Sequence, residues 1–378
     1  MKIYPANRGS ALKWALTLIT LSLGFSLFAG NVVSPQAMKI HKDAIVCDLH
    51  ADTQFMVTYM GYDMAKEHHA FSWGLAGAAP MFSDIDIPRL KKGGVELFNM
   101  SVCPVPKDNR TPGAAAFVRR SLNAIDRMLA KNQDSLAIAH SPEEARSIIA
   151  SGRIAVLLGL EGGQGIEENP DTLHEFYNRG VRYMTITHSK HLSWASSGGD
   201  KHRPKVAGLN EFGKQVVREM EKMGMIIDLS HVSEQTFWDA YNSVKCPVVV
   251  THSAARGLAD HHRNLTDAQI LAVAKRGGVV GVIFYDKYLD PTGKKPKDIS
   301  LVVDHIDYIK KLAGVDVIAL GSDFDGDVTV PKELSDVSKM PAITEELLKR
   351  GYSEQEIKKI LGENFLRAWS LIEKAAAK

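Results

Sequence analysis

Seven residues carry the side chains that metal-assisted hydrolysis needs: His50, Asp52, Glu161, His188, His231, His252 and Asp323. Each stands at the end of a short apolar run that reads as a β-strand. Imidazoles and carboxylates gathered at the carboxyl ends of parallel strands can hold divalent cations and move protons. His50 and Asp52 make a His-x-Asp pair, and the two-residue period of a strand puts both side chains on one face. Glu161 follows the apolar run 154–160 and precedes Gly162-Gly163, so a carboxylate falls where the backbone must turn. Unpaired there, its charge would cost several kcal/mol, which a cation or a basic side chain would relieve.

His231 and His252 end two neighbouring runs at equivalent positions. One strand-end histidine is more often a buried hydrogen-bonding group than a ligand. Two of them, joined by the His-x-Asp pair and a strand-end glutamate, point to metal. Five nitrogen and oxygen ligands are too many for one tetrahedral ion with an open position, but they suit two ions bridged by Glu161. The ligand types favour Zn2+, with manganese, cobalt and iron also open. Asp323, in Gly321-Ser322-Asp323-Phe324-Asp325-Gly326, is suited to take a proton from water and return it to a leaving amine. His188 is not needed for the ligand shell and is free to support a developing oxyanion. Arg263, in His261-His262-Arg263-Asn264, could hold a substrate carboxylate through two N–H groups.

The elements that must position these groups follow from eight near-continuous apolar runs, at 45–50, 95–102, 153–160, 181–188, 225–231, 248–252, 279–284 and 317–321, with helical patterns between them. That alternation predicts a parallel sheet covered by helices, and eight units predict a closed (β/α)8 TIM barrel. Capping boxes are expected at Ser141 to Glu144, Thr266 to Gln269 and Ser353 to Glu356, and left-handed C-caps at Gly224, Gly277 and Gly314. Two long connections, 53–94 and 192–208, leave strand ends on the active face, where they would wall a pocket. Extra helices are expected after the last strand. With no internal repeat or linker, 31–378 reads as a single barrel domain.

Composition removes several other functions. The 378 residues carry 46 basic and 44 acidic side chains, a formal +2, with no long basic run, so no nucleic-acid partner is expected. Cys47, Cys103 and Cys246 are too few and too widely spaced for a disulfide framework or a thiolate zinc site, and a reactive role is not expected of them. Lys2, Arg8 and Lys13 precede the apolar stretch 14–30, the order of a secretory signal over 1–30 with no clear cleavage site. Export to the periplasm or the exterior is the expectation, with an uncleaved amino-terminal tether left open. The carboxyl terminus has no hydrophobic segment for a lipid-anchor signal.

Together, Asp48 to Asp52, Asp86-Ile87-Pro88-Arg89-Leu90, Leu160 to Gly163, Thr185 to His188, Ile227 to Ser233, Thr251-His252-Ser253, Arg263-Asn264 and Gly321 to Gly326 resemble the successive signatures of the membrane (renal) dipeptidases, zinc peptidases on an amidohydrolase-type barrel. The resemblance runs from about Ala44 to Arg367 and touches every strand end. It implies that His50 and Asp52 bind one zinc, His231 and His252 the other, and Glu161 both, with a hydroxide shared by the metals attacking the peptide carbonyl. It implies that Asp323 handles the proton, His188 supports the oxyanion and Arg263 grips the carboxylate of a dipeptide whose second residue can be of D configuration. The mammalian members' carboxyl-terminal anchor signal is absent, and the stretch 61–83 matches poorly, which leaves side-chain preference open. A homodimer is also open. Two other readings remain: a metal-dependent hydrolase of a lactone, β-lactam or phosphoester, and a catalytically silent envelope binding protein.

Overall fold

Eight parallel strands form the continuous path of the sheet, in chain order save for one short strand to the side. The computed structural model describes residues 33–68, 83–104 and 113–376, so the expected signal at 1–30 and part of the long connection 53–94 lie outside the described residues. The strands are β1 (Val46–Asp48), β2 (Val95–Val102), β3 (Leu136–Ile138), β4 (Ile154–Glu161), β5 (Val181–Thr185), β6 (Ile226–Asp228), β7 (Val249–Ser253), β8 (Val279–Val282) and β9 (Ile318–Leu320). Their order is β1-β2-β4-β5-β6-β7-β8-β9, with β3 paired to β4. The ends meet where Leu49 N donates to Leu320 O (2.9 Å), Asp52 N to Phe324 O (2.9 Å) and Asp323 N to His50 O (3.1 Å). This is the expected (β/α)8 barrel.

β3 was not foreseen, because Leu136-Ala137-Ile138 is three residues long and only Leu136 is fully buried, which leaves no apolar run to read. Several strands also end earlier than their apolar runs, so His50, His188 and His231 lie beyond the regular ladder. Thr266 and Ser353 head complete capping boxes. Ser141 caps Glu144 N, but the Glu144 carboxylate turns outward to accept from His140 N at 2.8 Å, so that box is half formed. Gly224 takes the left-handed C-cap, whereas Gly314 has φ 86° with ψ 172° and closes its helix in an extended turn.

Alternation along the strands divides the core in two. One face packs against the surrounding helices. The other contributes Cys47, Leu97, Ala155, Leu157, Tyr183, Ile226, Val249, Val279 and Ala319 to a second buried cluster. Phe365, Leu366, Trp369 and Ile372 of the helix Asn364–Ala376 join that cluster, so the last helix supplies its apolar face to the inward layer. Tyr183 is the largest inward side chain on these strands, and Gly159 on β4 makes room for it: a Cβ there would lie 2.0 Å from the Tyr183 ring.

His305, in the helix Ser300–Ala313, anchors the loops above the sheet. Its Nδ1 accepts from Ala255 N and its Nε2 donates to Leu289 O, both at 3.1 Å, which fixes the neutral ring. Burial penalises its charge and pushes its pKa down to about 4.

Two outcomes follow. Gly159→Ala should cost about 1–3 kcal/mol, as overpacking does, read as a lowered denaturant midpoint; an unchanged midpoint would show that Tyr183 is not held by this contact. For His305, the unfolded chain binds a proton below its ordinary value of 6.5 that the folded chain refuses until about 4. Stability is therefore full above pH 6.5 and falls as pH drops toward 4, by up to about 3 kcal/mol from this residue. His305→Gln should flatten that part of the unfolding profile.

Candidate metal centre

Glu161 is the last residue of β4 and only 3% exposed, and four imidazoles converge on its Oε1. His231 Nε2 lies 3.0 Å away, His50 Nε2 and His252 Nε2 each 3.5 Å, and His188 Nε2 3.8 Å. Asp52 Oδ2 and Asp323 Oδ1 flank the group at 3.7 and 3.8 Å from His50 Nε2. All seven residues singled out in the sequence thus meet at one mouth of the barrel. The ends of six different strands deliver them, which is why nearly 275 residues of chain separate the first from the last.

Backbone geometry aims two of them. His231 and Asp323 have φ of 64° and 65°, a left-handed conformation that L side chains rarely adopt. Such strain costs about 1–2 kcal/mol per residue and persists where the surroundings hold it. Here the surroundings are buried carboxylates. Asp228 Oδ1 accepts from Ser230 N (3.0 Å), Ser230 Oγ (2.9 Å) and Thr251 N (2.9 Å), and its Oδ2 from Thr185 Oγ1 (2.6 Å) and Thr251 Oγ1 (2.8 Å). Asp48 likewise accepts from Ser322 N (2.8 Å), Ser322 Oγ (2.5 Å) and His50 N (3.4 Å). Burial raises Asp48 to about 6 in spite of these bonds.

The His252 and His50 rings are oriented from behind. Thr251 gives its hydroxyl proton to Asp228, so its oxygen is free to accept from His252 Nδ1 at 2.9 Å. That arrangement leaves His252 Nε2 with a lone pair toward Glu161. His50 Nδ1 meets Tyr183 Oη at 3.1 Å. Sequence reasoning assigned no role to Tyr183, Thr251, Asp228 or Asp48; a polar group inside an otherwise apolar strand was the available signal.

The donor set fits divalent cations. His50 Nε2 is buried with no hydrogen-bond partner, facing three carboxylates at 3.5–3.8 Å, and His231 Nε2 and His252 Nε2 lie 2.8 Å apart. There are more lone pairs here than protons to share. The crowding shifts the proton affinities of the group. Burial opposes charge on His50, yet Glu161, Asp52 and Asp323 outweigh it and push the ring to about 10. Burial drives Asp323 well above the usual carboxylate range, and burial together with Glu161 raises Asp52. Burial pushes His231 and His252 well down, with Arg263 adding to the effect. Cations among these groups would neutralise the crowded carboxylates and engage the lone pairs. His50, Glu161 and His252 form one group whose ligand atoms lie within 4.8 Å of one another, and His50, Asp52 and Asp323 another.

Arg263 is 5% exposed, not solvated on its loop. One guanidinium nitrogen donates to His252 O at 3.2 Å, its Nε has no partner, and its plane lies 5.4 Å from the Tyr288 ring. His261 and Tyr288, missed in the sequence, frame it: His261 stacks on Tyr288 at 4.4 Å and accepts from Arg263 N at 3.2 Å. The loop 192–208 is pinned over the mouth, with Ser197 Oγ donating to His188 O (2.6 Å) and Gly198 N to His231 O (2.8 Å).

Known proteins share this architecture. The probable dipeptidase PvdM of Pseudomonas aeruginosa is 23% identical, with a TM-score of 0.81 over 90% of this chain and 98% of that one. A metallopeptidase of Rhodobacter sphaeroides, liganded with a phosphinate mimic of the dipeptide L-Ala-D-Ala, is 25% identical with a TM-score of 0.75 over 87% and 99%. A further metallopeptidase, dipeptidase AC, is 24% identical with a TM-score of 0.74 over 89% and 99%. The membrane dipeptidase family, peptidase family M19, matches residues 34–378. A parallel barrel whose mouth gathers four histidines and three carboxylates, in a chain matched almost throughout by that family, makes this protein a member of the membrane dipeptidases, the metallopeptidases of family M19.

Proposed function

We propose that the chain hydrolyses free dipeptides, including those ending in a D-residue, at a centre of two divalent cations, zinc in the first instance. His50 and Asp52 would hold one cation, His231 and His252 the other, and Glu161 both. Cations bound there would polarise the scissile carbonyl and lower the pKa of water. The observation that carries this reading is the convergence of four imidazole nitrogens within 3.8 Å of one Glu161 oxygen.

The remaining residues divide the work. Arg263, buried with a free Nε beside the histidines, pairs with the carboxylate of the second residue and so fixes which bond lies over the centre. Asp323 accepts a proton from the attacking water and passes it to the leaving amine. His188 donates from its ring to the oxyanion of the tetrahedral intermediate. The L-Ala-D-Ala mimic held by the Rhodobacter metallopeptidase supports acceptance of a D-residue at the carboxyl end. The charge-then-apolar order of 1–30 supports export to the periplasm or beyond. No helix among the described residues is long and apolar enough to cross a membrane.

Arg263→Ala should lower kcat/KM for free dipeptides by about 10- to 100-fold, the worth of a charge-assisted hydrogen bond, and have little effect on dipeptide amides. Equal turnover of dipeptides and their amides by the unmutated protein would sink the role of Arg263, and preference for a lactone or phosphoester in the same panel would sink the peptidase reading. Elemental analysis should find two ions per chain, one after His231→Ala and neither after Glu161→Ala. A native stoichiometry of one would overturn the shared role of Glu161.

A further inference from the structure

Cys103 is one residue past β2, and the β2–β4 register pairs Val102 with Leu160, so the next step sets Cys103 opposite Glu161. The β4–β5 register then pairs Glu161 with Thr185, three residues before His188. Three adjacent strand ends therefore present a thiol, a carboxylate and an imidazole side by side. Cys103 Sγ lies 3.7 Å from His188 Nδ1, and His188 Nε2 lies 3.8 Å from Glu161 Oε1. One ligand atom from each of the three falls within 4.8 Å of the others.

We propose that Cys103, His188 and Glu161 form a third cation site, selective for thiophilic ions such as Zn2+ and Cd2+, whose occupation blocks dipeptide hydrolysis. The proposal rests on the two-cation reading above and adds a regulatory site beside it. Three protein ligands of sulfur, nitrogen and oxygen type, with one position left for water, are what a tetrahedral d10 ion accepts. The thiol separates this set from the hydrolytic pair, whose ligands are all nitrogen and oxygen, and biases it toward softer ions. A carboxylate offers about four lone-pair sites, so Glu161 can serve a third ion without leaving the first two. His188 cannot do both jobs: a ring nitrogen committed to an ion has no proton to give an oxyanion. Cys103 has no part in the hydrolytic reaction, so nothing in turnover itself requires a thiol there.

Binding breaks the Cys103 S–H bond, forms a sulfur–metal bond and releases the proton to solvent.

The test is a cobalt titration of the metal-free full-length protein, followed by absorption. The first two equivalents should bring visible ligand-field bands alone, and a third a sulfur-to-cobalt charge-transfer band in the near ultraviolet. Cys103→Ser and Cys103→Ala should take up two equivalents, lack that band and keep turnover at two equivalents of Zn2+. At a Zn2+ concentration ten times the Kd of the third site, native turnover should fall about tenfold, and that of both variants should hold. Two equivalents bound with no sulfur band at any ratio would overturn the third site and leave the two-cation centre standing. A sulfur band within the first two equivalents, or equal inhibition of the Cys103 variants, would overturn it as well. Saturation below two equivalents with no sulfur band would overturn both.

Discussion

The fold is organised around one electrostatic problem, the burial of Glu161 among four imidazoles and two further carboxylates. Glu161 is 3% exposed, and its nearest charged partners are themselves buried or nearly so. Burying several carboxylates together is costly unless the charges are paired. The proximity of Asp52 and Asp323 makes that cost larger, because every added carboxylate raises the others. Compensation by cations would remove the conflict. The packed inward layer beneath, the pinned loop above and the strained backbone at His231 and Asp323 all serve to keep these groups crowded.

The barrel separates this problem from stability. The lower inward layer is apolar, from Cys47 through Ala319, and the last helix covers it with Phe365 and Trp369. The change from apolar to polar takes place within two residues on β4, Leu160 to Glu161, and on β6, Ile227 to Asp228. Tyr183 spans the boundary, with its ring packed over Gly159 and its hydroxyl on His50. A core side chain thus becomes part of the site's support, and packing errors low in the barrel reach the ligand shell through it.

What the sequence made legible has a physical pattern. The eight barrel strands were readable because strands covered on both faces are near-continuously apolar, and the ligand types stood out at the ends of those runs. Their meeting was implied by topology, not by any local signal. The supporting groups were not readable, because the worth of Tyr183, Thr251 and Asp228 comes from which strand lies beside which and in what register. β3 escaped for want of a buried face. Arg263 was legible as a candidate partner for a substrate carboxylate, but only the folded loop shows it enclosed by Tyr288, His261 and the His252 carbonyl. No reactive role was expected of Cys103 for the same reason, since its neighbours come from β4 and β5.

The early ends of the strands and the left-handed backbone at His231 and Asp323 have a common cause. Between β6 and β7 the ladder pairs only Asp228 with Val249, yet Ser230 N and Thr251 N are satisfied by the Asp228 carboxylate and His252 N by Ser230 Oγ at 3.1 Å. Side-chain oxygens have taken over the bonds that a neighbouring strand would make. On the opposite side of the mouth, the Asp48 carboxylate takes Ser322 N and His50 N, and Ser322 Oγ takes Phe324 N at 3.0 Å. Each unit is a buried aspartate with a serine, placed two residues before or just beside a ligand. A regular ladder would keep successive side chains alternating inward and outward and would aim only every second residue at the centre. Replacing the ladder by carboxylate bonds satisfies the backbone while releasing that alternation. His231 and Asp323 can then adopt positive φ and turn inward where a strand would have faced them away. The paired aspartate and serine units are therefore what turns the ends of a sheet into a converging cluster of imidazoles and carboxylates, with about one strained residue on each side.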